Sequence, residues 1–129
     1  MCSTDYETYM KGFALAVALA VSSGGIEPTK IEGTYTCRGA RGPEAYTLQL
    51  LVQPLGETYG LTWSADQGPA AVGLGVRDGD GLAVAIVGPG GGIGVAHYVI
   101  SAGQLAGVWT TGGGRVDREV CTQGKVSAS

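Results

Sequence analysis

The stretch Ala70-Ala71-Val72-Gly73-Leu74-Gly75-Val76-Arg77-Asp78-Gly79-Asp80-Gly81-Leu82-Ala83-Val84-Ala85-Ile86-Val87 decides the fold. Larger apolar residues recur at every second position on both sides of an Asp-Gly centre. A period of two is the mark of a β-strand. Asp-Gly tolerates the positive φ that a tight antiparallel turn demands. The stretch therefore reads as a hairpin. Val72, Leu74 and Val76 share one face of its first strand, and Leu82, Val84 and Ile86 share one face of its second.

The same grammar extends in both directions. Strands are expected over 33–38, 45–53, 58–64, 70–76, 82–87, 93–100, 105–111 and 115–121. The second puts Tyr46, Leu48, Leu50 and Val52 on one face; the third puts Tyr59, Leu61 and Trp63 on one face. Turn residues stand between them, as in Pro54-Leu55-Gly56-Glu57, Ser101-Ala102-Gly103-Gln104 and Gly112-Gly113-Gly114. Connections this short force antiparallel neighbours, because parallel strands need long crossovers. A meander of eight strands leaves exposed edges unless it closes. The expected fold is all-β, an eight-stranded antiparallel up-and-down barrel, with a β-sandwich as the alternative.

The cysteines bear on closure. The chain of 129 residues has three. Cys2 lies in a segment that reads as an export signal: Lys11, then nine apolar residues from Phe13 to Val21, then Ser22-Ser23-Gly24-Gly25. The alternative for that segment is a buried helix of the mature fold. Cys37 and Cys121 remain, in the first strand and at the end of the last. A closed barrel makes those strands neighbours, so the expected disulfide between them would staple the seam; a sandwich could place the pair across its two sheets, and the alternative to a disulfide is two buried free thiols. The expected organisation is a signal peptide over 1–22 (with Met10 as an alternative start), a linker over 23–32, one barrel domain over 33–121 and a flexible tail over 122–129. The expected location is the periplasm or the exterior.

Composition excludes several functions. Lys+Arg is 8 against Asp+Glu 11, a net charge of −3, which leaves no basic footprint for nucleic acid. No apolar run reaches the length of a membrane-spanning helix. Gly88-Pro89-Gly90-Gly91-Gly92 is followed by a strand, whereas a phosphate loop opens a helix, so no cofactor is expected. Asp78 and Asp80 flank a turn glycine. A calcium loop starting at Asp78 needs Glu at its twelfth position, where Pro89 stands, so no metal is expected.

No catalytic residue is assigned. No nucleophile elbow is present. His97, the sole histidine, sits mid-strand on the face of Val95 and Val99 and reads as a packed or surface residue. An enzymatic role for it requires Asp117 or Glu119 beside it at a barrel mouth. Those two acids share one face of the last strand, which reads as solvated.

Two features suggest binding. Tyr46, Tyr59, Trp63, Tyr98 and Trp109 can line an apolar cavity at a barrel mouth, the alternative being plain core packing. On the fourth to sixth strands the face opposite the large residues is small: Ala71, Gly73, Gly75, Ala83, Ala85, Gly94 and Ala96. Read as an outer surface, it suits a protein partner or a second copy in a homodimer. The alternatives are an interior that prefers small residues, or reversed strand faces.

Several pieces carry a resemblance: Gly33-Thr34-Tyr35-Thr36-Cys37-Arg38-Gly39, Tyr59-Gly60-Leu61-Thr62-Trp63, Gly73-Leu74-Gly75-Val76, Gly94-Val95-Ala96-His97-Tyr98-Val99-Ile100 and Leu105-Ala106-Gly107-Val108-Trp109. Over these, the chain resembles a group of small exported bacterial β-barrel proteins of unsettled function. The resemblance implies a fold and export, and no catalytic residue. By strand count the chain is also similar to the calycins (lipocalins and avidins), although its Gly107-Val108-Trp109 lies in the seventh strand where lipocalins carry Gly-x-Trp in the first. Periplasmic lysozyme inhibitors are similar in size, export, Tyr35-Thr36-Cys37 and a late Cys. Their inhibitory loop has only Gly90-Gly91-Gly92-Ile93-Gly94 as a counterpart here. The expected function is a non-enzymatic binding module for a small apolar ligand or a protein partner. The alternatives are an inhibitor of a cell-wall enzyme and a barrel-mouth enzyme using His97.

Overall fold

The computed structural model describes residues 29–124. The expected signal peptide, the first part of the linker and the end of the tail lie outside the described residues. Eight strands follow one another: β1 Gly33–Arg41, β2 Glu44–Leu55, β3 Thr58–Ala65, β4 Gly68–Asp78, β5 Gly81–Val87, β6 Ile93–Ser101, β7 Gln104–Thr110 and β8 Asp117–Gln123. Each pairs antiparallel with its sequence neighbours, and β8 pairs antiparallel with β1 to close the barrel. The architecture is the up-and-down barrel rather than the sandwich. The two central residues of the turn between β4 and β5 are Gly79-Asp80, with Asp78 opposite Gly81, and the positive φ falls on Gly79 at 62°.

Closure occurs where the cysteines stand. At the seam Cys37 lies directly opposite Cys121, and the two form a disulfide. Both are fully buried. The seam is a short ladder, running only from Tyr35 opposite Gln123 to Gly39 opposite Glu119.

One end of the barrel is filled. Tyr35, Leu50, Val52, Leu61, Leu82, Ile100 and Leu105 interdigitate there, and Ile31 inserts ahead of β1 as a plug. The Tyr35 hydroxyl donates to the Ile31 carbonyl at 2.8 Å. The Arg77 guanidinium donates to the Thr29 carbonyl. Burial raises the Tyr35 pKa, Glu32 adds to the rise, and Arg77 opposes it. Residues 29–32 thus pack against the barrel, and β8 continues through Thr122 and Gln123.

The large residues point inward on β2, β3 and β5, as the pattern implies. On β4 the faces are reversed. Val72, Leu74 and Val76 face outward, 51%, 53% and 58% exposed, while Ala71, Gly73 and Gly75 face the interior. The cause is steric. A Cβ on Gly73 would lie 2.9 Å from Val84 Cγ1 and 3.0 Å from Trp63 Cζ3, and one on Gly75 would lie 3.1 Å from both Leu61 and Leu82. The interior is already occupied from β3 and β5, so β4 can only offer hydrogen or methyl. On β6, Gly94 and Ala96 also turn inward, beside Tyr98 and Ile100. Only Ala83 and Ala85 form the small outer surface expected of all seven positions. An eight-stranded barrel is just wide enough to be filled by side chains, so the small inward residues determine where it stays hollow.

Candidate functional site: the open barrel mouth

The end opposite the Ile31 plug holds a cavity of about 500 Å³. Its existence follows from side-chain size. Ala70, Ala71 and Gly94 contribute almost nothing to filling it, and the 88–92 glycine-rich turn arches over it. The walls are apolar and aromatic: Leu48, Trp63, Ile86, Tyr46 and Trp109. Arg41 and Glu44 stand at its rim, on the β1–β2 hairpin. The Tyr46 and Trp109 rings meet edge-on, with centroids 6.2 Å apart.

Glu119 belongs to this cavity. It projects inward from β8, is 4% exposed, and is the one buried acid among the described residues. Three aromatic side chains donate to it. The Tyr46 hydroxyl gives 2.6 Å to Oε1, the Tyr98 hydroxyl gives 2.7 Å to Oε2, and Trp63 Nε1 gives 3.3 Å to Oε2. Cys121 Sγ touches Oε2 at 3.2 Å, but a disulfide sulfur carries no proton to donate. Indole N–H can only donate, and an ionised carboxylate only accepts. The donor set therefore matches a carboxylate held without a cation, with shared hydrogen bonds replacing water. Glycine makes the geometry attainable: a Cβ on Gly39 would lie 2.5 Å from the Tyr46 hydroxyl, in the path that hydroxyl takes across the seam.

The phenols are locked in their neutral form. Burial pushes the Tyr98 pKa far above the ordinary 10.0, and the Glu119 charge and hydrogen bond push it further. Burial likewise raises Tyr46, with the Glu119 hydrogen bond and charge adding to it. Trp109 acts weakly in the opposite sense on Tyr46, yet Trp109 Nε1 itself is buried and completes no hydrogen bond of normal geometry.

The structure brings together four of the five aromatics singled out in the sequence: Tyr46, Trp63, Tyr98 and Trp109. It separates the fifth. Tyr59 sits opposite Gly75 at the plugged end, packed against the core and away from the cavity. Sequence reasoning missed Glu119, which it placed on a solvated face. Asp117, two residues earlier, does sit near the surface. It pairs with Arg115 at 3.2 Å and accepts from the Gly42 backbone N–H at 3.2 Å, which fastens the β1–β2 turn to β8. His97 is exposed on the outer face of β6 opposite Ala83, with no carboxylate hydrogen-bonded to it. Cys37, Glu119 and Cys121 cluster closely enough to resemble a metal set, but the disulfide consumes both thiols. Compared with protein-family models, curated proteins and solved structures, the chain matches none.

Proposed function

We propose that the protein is an exported, non-enzymatic binding module that holds a small, mostly apolar molecule in the barrel mouth. The carrying observation is the hollow end itself: an aromatic-walled cavity in a barrel that is otherwise filled. Its volume falls in the ~300–1,000 Å³ range of small-molecule sites, and it joins apolar walls to few polar groups. The Glu119 carboxylate disfavours an anionic group at the cavity floor. A structural disulfide suits an oxidising compartment, which supports export.

The test is direct. The full chain, purified without denaturation, is compared by native and denaturing mass spectrometry. It is then titrated with N-phenyl-1-naphthylamine, a neutral apolar fluorophore. The expected result is a bound small-molecule increment or saturable dye binding, weakened at least about tenfold in Ala71→Phe, which fills the cavity. A bare native mass together with dye binding unaffected by Ala71→Phe sinks the reading.

A further inference from the structure

The outer surface is polarised around the barrel. From β8 through β1 to β3 it is mixed, with Arg118, Arg38, Thr47, Gln53 and Thr62 exposed beside Leu51, Leu55 and Val120. From β4 to β6 it is apolar. Val72, Leu74 and Val76 on β4 and Val87 on β5 are 44–58% exposed, and Ile93, Val95 and Val99 on β6 are 55–71% exposed. Register places these in rows: Val72 beside Val87 beside Ile93, Leu74 beside Ala85 beside Val95, Val76 beside Ala83 beside His97. His97 stands within these rows, and the next row, Asp78 beside Gly81 beside Val99, adds one acid at the edge. Monomeric proteins seldom leave so large a contiguous apolar patch uncovered.

We infer that this face packs against the same face of a second copy of the chain. Three observations select that occupant. The first is relief. The large β4 side chains form one ridge, the β6 side chains form another, and Ala83 and Ala85 make β5 a valley between them. Under a two-fold axis the β4 ridge of each copy enters the β5 valley of the other, the self-complementarity an isologous interface requires. The second is area. The exposed apolar residues amount to roughly 700 Å² per copy, close to the ~800 Å² that each partner brings to a standard interface. The third is charge. The face carries a single acid, Asp78, at its end in the row of Gly81 and Val99, too little charge to engage a charged partner.

Other occupants fit less well. A strand from another protein finds no free edge, because every described strand is paired on both sides. A spanning barrel needs an apolar belt around its whole circumference, and β8, β1, β2 and β3 break it. An anionic lipid surface meets a face without Lys, Arg, Trp or Tyr on a chain of net charge −3.

The experiment is sedimentation of the full chain from about 1 to 100 µM, beside Leu74→Lys and Val95→Lys. Both substitutions lie on the outer face, so circular dichroism should stay that of the wild type. The expected result is a wild-type dimer, with each lysine, present twice across the axis, raising the dissociation constant at least about a hundredfold. A wild-type monomer throughout the range overturns the inference. So does a dimer that both lysine variants leave intact, or a monomer that instead sediments with phosphatidylglycerol vesicles. Dye binding in the mouth is independent of this result, so the two proposals fail separately.

Discussion

Opening the Cys37–Cys121 disulfide should remove a large share of the stability of the domain. The bond joins positions 84 apart in sequence, so it withholds nearly the whole barrel from the reach of the unfolded chain. In the chain-entropy treatment a loop of that length contributes about 4.5 kcal/mol at 25 °C. Domains of this size are stable by only ~5–15 kcal/mol in total. The location adds to the effect. The β1–β8 ladder that the bond crosses is shorter than the β1–β2 ladder, which runs the full length of β1 from Gly33 opposite Val52 to Arg41 opposite Glu44. The seam is therefore where the barrel opens first. The assay is urea unfolding followed by Trp63 and Trp109 fluorescence, for the oxidised chain and for the Cys37→Ala, Cys121→Ala double variant. With a slope of about 1.5 kcal/mol/M, the midpoint should fall by about 3 M. Hydrogen exchange should accelerate first at Arg38 and Val120, which face each other across the seam. A midpoint shift below about 0.5 M, or exchange that accelerates equally in β4 and β5, would refute the reasoning.

Three more outcomes follow from the geometry. Glu119→Gln puts an amide among donors that expect a carboxylate, and should cost about 2–4 kcal/mol in urea unfolding, more than Tyr98→Phe, which removes a single donor; equal, small costs would mean that the cluster contributes little. Tyr98 and Tyr46 have folded pKa values raised above the unfolded 10.0, so their contribution is intact below pH 10 and is lost as pH rises beyond it. Tyr98 alone should give a slope of about 1.4 kcal/mol per pH unit, with less from the partly buried, more solvent-screened Tyr46; stability that stays flat to pH 11 contradicts this. Gly107→Ala would place a Cβ 2.1 Å from the His97 carbonyl, a backbone clash that no side-chain rotation relieves. It should cost about 3 kcal/mol or abolish folding, readable as soluble yield and melting temperature, whereas alanine at Gly90, where nothing lies within 4 Å, should be tolerated.

Topology was legible in the sequence because it depends on local signals. Strand period, turn glycines and short connections leave few arrangements, and the cysteine positions select the closed one. The face of β4 was not legible, because it depends on volume. Val72-Gly73-Leu74-Gly75-Val76 alternates perfectly, and alternation does not say which set is inside. Hydrophobicity favours the valines. The interior instead had to admit Trp63, Leu61, Val84 and Leu82 from the two flanking strands, and only glycine fits between them. The outer apolar face is the consequence of that packing: the side chains displaced from the core had to go to the other side.

Glu119 is a different kind of miss, and parity could have found it. Cys121 must face inward if it is to meet Cys37 at the closed seam. Residues two apart on a strand share a face. A sequence that commits to the disulfide thereby commits Glu119 to the interior, one pleat nearer the mouth than the cysteine. An acid in that position cannot remain unpartnered, since a buried carboxylate without donors is far too costly. It needs hydroxyl or N–H groups from the facing strands, and the available inward donors are aromatic: Tyr46, Trp63 and Tyr98. The same parity separates Glu119 from Asp117, which shares its face but lies one pleat further out, where Arg115 and the β1–β2 turn meet it. One acid stabilises the rim while the other forms the floor. What periodicity cannot supply is the hollow beside them, which depends on Ala70, Ala71 and Gly94 lying at the same height in the closed barrel.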